Sequence, residues 1–423
     1  MSSQVRPAER ETSRRALQVV VLGLVLALAL GLPRPGNAVV LECASGDVAC
    51  LIAAIHTANA NGQANTIRLQ SGTYTLSAVD NDSDGANGLP SITSALALVG
   101  AGATSTTIER GATAPLFRLL HVGQTGSLKL QGVTARGGRW GGPVAVFGGG
   151  GILNLGTLVI GDSVLTGNVS TTEGLRGGGG GIVSFGRLLI AGSTIADNTA
   201  TVGFGGGVFG SAVVTVIKST IRENTASDGG GGLWTAAGSA TLIIDSTIAD
   251  NRAGEGHGGG LLSESTAVTI INSTLARNSS AFGFGGGLFV SGGIIVNATI
   301  ADNESDSGGQ ALVAGSALAL HNTIVSGPSN PLSPLCRGQV SSLDNNLLVD
   351  PLCAVALMPQ DLTGDARLGD FTDDGSPGRG FVPLLKRSPA LNAGDSLACL
   401  PADQLGRRRH AKDCDIGAVE GTR

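Results

Sequence analysis

Two short phrases alternate at a near-constant spacing between residues 148 and 303, and this repeat constrains the fold more than any other feature. One phrase is a glycine cluster followed by an aliphatic residue, found at 149–152, 205–208, 258–261 and 285–288. The other is Ser-Thr-Ile-x-x-Asn or a close variant, with its asparagine at Asn168, Asn198, Asn224, Asn251, Asn278 and Asn303. The steps between these asparagines are 30, 26, 27, 27 and 25 residues, a period typical of stacked repeats in which each unit contacts only its neighbours.

Each regular unit contains three short apolar segments, which return in the same order every time. In the unit that ends at Asn251 they lie at 233–234, 240–244 and 246–248. Because the order never reverses, hairpins do not fit, and each strand must pair in parallel with its equivalent one unit along, about 4.8 Å away. The sequence therefore predicts an all-β solenoid, a parallel β-helix with three short strands per coil.

Three columns of equivalent residues receive structural interpretations. Stacked amides at a tight turn can hydrogen-bond along the stack, so the repeated asparagines are interpreted as turn residues rather than as an exposed row that binds sugar. Threonine suits strands and cross-strand hydroxyl contacts, which accounts for Thr194, Thr220, Thr247, Thr274, Thr299 and Thr323. Polar residues hold one outward position before the Ser-Thr-Ile phrase, namely Asp162, Lys218, Asp245, Asn272, Asn297 and His321.

The ends of the chain differ from the repeats. Residues 1–38 combine a basic start, an apolar core and a small-x-small ending, as in a cleaved export signal, although a membrane anchor and a twin-arginine signal are alternatives. Residues 39–327 form the β-helix with a helical cap over 47–60, and 328–423 form a last coil with a loop-rich cap. We expect secretion or display at a bacterial cell surface, with no membrane span after the signal is removed.

Charge and cysteine content narrow the functional classes. Loss of residues 1–38 would remove five of the 27 basic and two of the 32 acidic residues, leaving a net charge of −8, so nucleic acid is not an expected partner. The acidity also disfavours polyuronate substrates. The six cysteines suit an oxidising compartment, and pairing of neighbours is preferred among fifteen possibilities: Cys43 with Cys50, Cys336 with Cys353, and Cys399 with Cys414.

Together these phrases resemble known extracellular repeat families. The Gly-Gly-Gly-aliphatic and Ile-x-x-Asn phrases are similar to polymorphic outer membrane protein repeats, and segments 388–395, 403–407 and 414–420 resemble a choice-of-anchor Q domain. The start, at 50–55 and 72–76, is similar to a CSLREA-type entry segment without its Arg-Glu pair. The resemblance implies a right-handed, pectin-lyase-like β-helix, a fold that also hosts hydrolases and lyases.

Four residues are candidates for catalysis. Gly256-His257-Gly258 matches a phrase of polygalacturonase-like enzymes, yet His257 stands where other repeats have phenylalanine. Asp197, Glu223 and Asp250 belong to an acidic column that continues to Asp302 and is interrupted by Arg277. Its spacing would suit a glycosidase pair or a calcium site, but turn chemistry favours the same residues there. Longer loops at 137–148 and 170–177 are the more favourable places for a binding groove.

The preferred functional hypothesis is a monomeric, exported β-helix that acts in adhesion, as a structural module or in glycan binding, without catalysis. The alternative is an extracellular polysaccharide hydrolase or lyase that uses carboxylates on one face. No cofactor is predicted, and Ca²⁺ is expected only under the lyase alternative. The expected partner is an extracellular polysaccharide or a cell-surface glycan.

Overall fold

The computed structural model describes residues 39–141, 148–171, 178–328, 333–410 and 412–421. The predicted signal at 1–38 and parts of the two long loops, 142–147 and 172–177, lie outside these ranges. Within them the chain winds as a solenoid whose neighbouring coils pair in parallel, so the predicted parallel β-helix is confirmed. Its strands form three sheets that run along the solenoid.

The largest sheet, sheet 1, has 19 strands in two columns that merge in the ten-residue strand Leu312–His321. Its strands are Val40–Cys43, Asn65–Leu69, Ala95–Val99, Leu120–Val122, Ser127–Gln131, Ile152–Asn154, Thr157–Gly161, Ile182–Ser184, Arg187–Ala191, Val208–Gly210, Val213–Ile217, Leu233–Thr235, Ala240–Ile244, Leu261–Ser263, Val268–Ile271, Leu288–Val290, Gly293–Val296, Leu312–His321 and Cys336–Ser342.

Sheet 2 has 12 strands and sheet 3 has seven. The strands of sheet 2 are Gly72–Leu76, Thr106–Arg110, Thr134–Arg136, Val164–Thr166, Thr194–Ala196, Thr220–Arg222, Thr247–Ala249, Thr274–Ala276, Thr299–Ala301, Ile324–Val325, Leu347–Leu348 and Leu362–Thr363. Those of sheet 3 are Arg139–Trp140, Val169–Ser170, Thr199–Ala200, Thr225–Ala226, Arg252–Ala253, Ser279–Ser280 and Glu304–Ser305. A regular coil thus has the three predicted strands plus a two-residue strand after its asparagine, too short to give a periodic pattern.

The repeated asparagines form a buried ladder at the corner between sheets 2 and 3. The amide of Asn251 donates to Asn278 Oδ1 at 2.9 Å, and its own oxygen accepts from the amide of Asn224 at 3.0 Å. The same side chain also donates to two backbone carbonyls, so its hydrogen-bonding groups are satisfied inside the turn. The predicted amide stacking is confirmed, and because Asn251 is fully buried it is unable to bind sugar.

A second ladder runs along the corner between sheets 1 and 2. Each serine hydroxyl donates to the carbonyl two residues before it and accepts the backbone N–H of the serine one coil earlier, as Ser246 does with Ile244 and Ser219. These paired bonds hold the corner residue before each serine in the left-handed region, with φ of 49° at Asp245 and 46° at Asn272. Asp and Asn tolerate that conformation better than most residues, which explains the polar column.

The last member of that column differs from the sequence prediction. Register places His321 opposite Val296 inside sheet 1, so the residue that follows Asn297 in the column is Asn322, with φ of 48°. The cause is the long strand Leu312–His321, which carries one extra residue relative to the preceding coil, because Ala314 pairs with Val290 whereas Leu318 pairs with Gly293. An inserted residue of this kind breaks the repeat from which the alignment was read.

The entry to the solenoid carries the predicted helical cap. The helix Val48–Ala60 begins at the N-cap Asp47, whose carboxylate accepts the N–H of Cys50 at 2.9 Å, and it buries Leu51 and Ile55 against the first strands. A 3-10 turn lies at Pro351–Cys353. All three predicted disulfides are present: Cys43–Cys50, Cys336–Cys353 and Cys399–Cys414.

Residues 364–421, here called the C-terminal arm, pack lengthwise on the outer face of sheet 2. The threonine column serves as the docking surface: Gly378 N–H donates to Thr220 Oγ1 at 2.8 Å, and Ala418 N–H donates to Thr299 Oγ1 at 3.0 Å. The alanine column beside it, at Ala276 and Ala301, leaves room for Val382. Thr220 and Thr299 therefore contact the arm, rather than only each other as the sequence pattern indicated. The predicted member Thr323 lies outside the column, because Ile324 pairs with Thr299.

Candidate functional site

The arm covers only the later coils of sheet 2, and the site of interest is the face that it leaves open. In the open coils the outward position next to the asparagine corner is filled in register by Thr75, Glu109, Arg136 and Thr166. The same position becomes Ala249, Ala276 and Ala301 beneath the arm. The position is thus polar from Thr75 to Thr166 and small and apolar from Ala249 to Ala301, with Ala196 and Arg222 between the two sets.

Hydrogen bonds hold Glu109 at the centre of this open face. Its Oε1 accepts from Thr75 Oγ1 at 3.0 Å, and its Oε2 accepts from Arg136 Nε at 2.8 Å and lies 2.7 Å from Arg136 Nη2. The carboxylate side chain is 23% exposed and the guanidinium side chain 53% exposed. The pair is therefore ordered by three strands and still reaches solvent.

Arg110 lies at the corner beside that pair and is fixed by backbone carbonyls. Its Nε donates to Gly137 O at 3.0 Å and its Nη1 to Ala114 O at 2.5 Å. Partial burial lowers the pKa of Arg110, and the positive charge of Arg139 lowers it further. Arg139 is exposed at the start of sheet 3, so three guanidinium groups surround one corner of the solenoid.

Two glycines open a groove between these side chains. Gly137 and Gly167 adopt φ of 72° and 63°, the left-handed conformation that Asp197 adopts with φ of 54° in the next coil. A side chain at Gly167 would meet no atom within 4 Å, so the corner is empty space rather than packed core. The resulting groove, of about 330 Å³, is lined by Glu109, Arg110, Arg136, Gly137, Thr166 and Gly167.

The acidic column predicted as a catalytic candidate continues from the end of this groove. Asp197, Glu223 and Asp250 all have positive φ, between 54° and 57°, at the turn before the buried asparagine. Asp250 pairs with Arg277 at 2.6 Å, Glu223 pairs with Arg222, and Asp197 accepts a 3.4 Å bond from Thr166. The three carboxylates thus share one corner and are bonded to neighbouring side chains.

His257, the fourth candidate, lies at a different corner, in the turn formed by the glycine cluster. It occupies the same column as Phe204, and its ring stacks on Phe284 and Phe289 with centroids 5.4 and 4.9 Å apart. Its Nδ1 accepts the N–H of Phe284 at 2.9 Å, and burial lowers its pKa. The structure therefore does not bring His257 together with the acidic column.

An aromatic row follows the same corner. Phe209 and Trp234 stack in register at 4.3 Å, with Phe185 and Phe204 packed against them at 5.9 and 5.6 Å. Because the rings turn their faces towards one another, the faces that a sugar would need are already occupied. Phe282 precedes Phe284 by two residues in the same turn and is 74% exposed. Sequence composition gave no sign that the aromatic residues would gather here.

A Ser–His–Asp contact occurs beneath the loop of residues 80–92. Ser91 Oγ lies 2.8 Å from His121 Nδ1, and His121 Nε2 lies 3.4 Å from Asp84 Oδ2. The imidazole is only 3% exposed, and Ser91 Oγ also donates to Asn81 Oδ1 at 2.9 Å. We interpret the contact as fastening this loop to sheet 1, because a nucleophile and base need access to substrate.

The described ranges contain no helix with the length and apolarity of a membrane span. Within the same ranges, no group of three or more His, Cys, Asp and Glu side chains is arranged to hold a metal ion.

Sequence reasoning missed the groove, because Glu109, Arg110 and Arg136 lie in the irregular early coils where the repeat gives no alignment. One signal was present: Gly167 precedes Asn168, whereas Asp, Glu or Arg precedes the later asparagines. A small residue at an otherwise charged corner indicates open space above it.

These features define the class of protein as a parallel β-helix with an arm that covers part of one face. Two segments, 120–293 and 218–348, match the family model described as right handed beta helix region. Together they span 120–348, more than half of the 423 residues, and the chain belongs to this right-handed β-helix family.

Similarity to solved structures is limited to the fold. The A-module of the Azotobacter vinelandii mannuronan C-5 epimerase AlgE4 is 16% identical, with a TM-score of 0.42, and the match covers 78% of this chain and 96% of that one. The AlgE6 A-module of the same organism gives 16% identity, a TM-score of 0.37, and 78% and 94% coverage. The Agl-KA catalytic domain is 14% identical, with a TM-score of 0.37, and the match covers 79% of this chain and 69% of that one. No curated protein matches the sequence.

Proposed function

We propose that this chain is an exported β-helix protein that binds an extracellular glycan, without cleaving it, through the open groove of sheet 2. The observation that carries the proposal is the groove itself, where the arm ends its cover and Glu109, Arg136 and Thr166 face solvent in successive coils. Carboxylate, guanidinium and hydroxyl groups at one-coil intervals suit a hydroxyl-rich ligand that lies along the solenoid. The three disulfides fit an oxidising extracellular setting.

The choice-of-anchor Q-like part of the chain is assigned a covering role in this proposal. The arm uses its backbone and Gln404 to satisfy the threonine hydroxyls of the later coils, with Thr274 donating to Gln404 Oε1 at 2.6 Å. It thereby removes those coils from contact with ligand and leaves the early coils as the binding face.

The test is a binding panel of purified neutral and charged polysaccharides, in which each mixture is also assayed for new reducing ends and unsaturated uronate. We expect saturable binding to at least one polysaccharide and no product. Absence of binding to any member of the panel would overturn the proposal.

Cleavage by a hydrolase or lyase mechanism is the second candidate, favoured by the position of Glu109. Among the six groove-lining residues it is the one carboxylate, and its side chain is partly exposed. Under this candidate the panel yields product with wild-type protein and none with Glu109→Gln. Product that persists in Glu109→Gln would remove the groove from consideration as an active site.

A further inference from the structure

The groove carries a charge that differs from that of the whole chain. The formal net charge is −5 and would be −8 without residues 1–38, yet Arg110, Arg136 and Arg139 all lie around the corner at Gly137. One of these charges is matched by Glu109, and Asp197 lies one coil beyond Gly167. Within the described ranges, no acidic side chain pairs with Arg110 or Arg139, so the corner between them is locally positive.

From this arrangement we infer that the groove recognises an anionic saccharide, through a carboxylate or sulfate group placed at the corner formed by Gly137 and Gly167. The inference rests on the proposed function and names its ligand class. Guanidinium groups present planar sets of donors that match such oxyanions, and a concave site focuses their field. The negative net charge of the whole chain disfavours polyuronates as ligands. A ligand in the groove, however, interacts mainly with the charges nearest to it, because salt screens the more distant ones.

The glycines explain why the anion would enter here rather than at the next three coils. At the equivalent corners Asp197, Glu223 and Asp250 carry carboxylates that would repel it. Gly167 has no side chain, and a Cβ there would meet open space. Arg110 is already oriented by carbonyls of Gly137 and Ala114, so little conformational freedom is lost when it binds.

Two polysaccharide pairs of matched backbone separate charge from shape and carboxylate from sulfate. The first is polygalacturonate and its carboxyl-reduced form, and the second is dextran sulfate and dextran. Each is titrated against wild type, Gly167→Asp and Gly167→Asn. Both substitutions should fold, because Asp197 holds the same backbone conformation, and only the first adds a negative charge.

We expect the charged member of at least one pair to bind ten-fold or more tightly than its neutral partner. Gly167→Asp should weaken that binding at least ten-fold and Gly167→Asn by much less. Arg139→Gln should also weaken it, whereas Arg252→Gln, at the same register of sheet 3 four coils later, should not.

Equal binding of charged and neutral members would overturn the inference and leave the proposed function standing. The same holds if Gly167→Asp and Gly167→Asn behave alike, or if Arg252→Gln has the effect of Arg139→Gln. Failure of every member of both pairs, together with the wider panel, would overturn the proposed function itself.

Discussion

Thr247 donates a hydrogen bond of 2.7 Å to the carbonyl oxygen of Gly380, 133 residues further along the chain. The same hydroxyl accepts from Gln404 Nε2 at 3.0 Å, so one buried threonine of sheet 2 joins two parts of the C-terminal arm. This relationship explains why a column of strand threonines recurs under the arm, and it makes the arm's attachment testable.

Thr247→Val keeps the shape of the side chain and removes both bonds. Gly380 O keeps its bond from Gln404 Nε2, so the expected cost is that of two lost hydrogen bonds, about 1–3 kcal/mol of arm docking. Limited proteolysis should therefore cleave residues 364–421 several-fold faster than in wild type. Thr194→Val, two coils earlier in the same column, is the matched control and should leave the rate unchanged; equal protection in both variants would contradict the role given to Thr247.

The Cys399–Cys414 disulfide should restrain the same arm. It closes a loop of 15 residues, for which chain entropy gives a stabilisation of about 3 kcal/mol. The double variant Cys399→Ser/Cys414→Ser is expected to lose protection in the arm while glycan binding in the groove persists. Removing Cys43 and Cys50 instead should leave arm proteolysis as it is, because that disulfide lies at the opposite end of the solenoid.

Asn251→Ala should be among the more destabilising single substitutions in the solenoid. It removes the bonds to Ile221 O, Ala249 O and Asn278 Oδ1 and leaves buried groups on adjacent coils unsatisfied. We expect a loss of about 2–4 kcal/mol, measured as a lower denaturation midpoint and faster hydrogen exchange in neighbouring coils. The exposed neighbour Arg252→Ala is the control, and a comparable loss there would refute the ladder's importance.

The pH dependence of the early coils should depend on His121. Burial, and then the charge of Arg118, lower the pKa of this imidazole from 6.5 to about 4, while Asp84 raises it. The unfolded chain therefore takes up the proton first. The stability this group contributes is complete above pH 6.5 and is lost as the pH falls through about 4.

The loss amounts to about 3 kcal/mol over that window. His121→Leu, which places in this column the residue found at Leu153 one coil later, should show a smaller fall in stability between pH 7 and pH 4.5. The measurement is the denaturation midpoint of both proteins at the two pH values. Identical pH dependence would show that the buried imidazole is not the titrating group.

The repeat in the sequence predicted most of the fold, because each recurring residue answers one local requirement. The side chain of Asn251 makes the hydrogen bonds of a turn, that of Ser246 makes those of a corner, and Ile248 is buried in the interior. The order of these residues therefore determines the path of the coil. The arm's position was not predictable, since its contacts join Thr247 to residues more than 100 positions away. The reason for the small residues Ala276 and Ala301 was not predictable either, because Val382, which packs on them, is distant in the sequence.

The groove was less accessible to sequence reasoning than the fold. Glu109 and Arg136 are 27 residues apart, in coils that lack the repeated phrases, and only the strand register brings them together. His321 was misplaced for a related reason, because one residue inserted between Ala314 and Leu318 moves every later residue by one position relative to the preceding coil. Local patterns thus predicted local geometry, and long-range pairing determined the site.

Binding of the glycan in the groove is tested most directly by a calorimetric comparison of glycan affinity in wild type, Gly167→Asp and Phe282→Ala. Gly167→Asp places a carboxylate at the groove, whereas Phe282→Ala truncates an exposed aromatic residue in the turn that carries Phe284, at the other corner. We predict at least a ten-fold rise in Kd for Gly167→Asp and an unchanged Kd for Phe282→Ala. An unchanged Kd for Gly167→Asp with weakened binding by Phe282→Ala would contradict binding in the groove and place the ligand at the turn of Phe282.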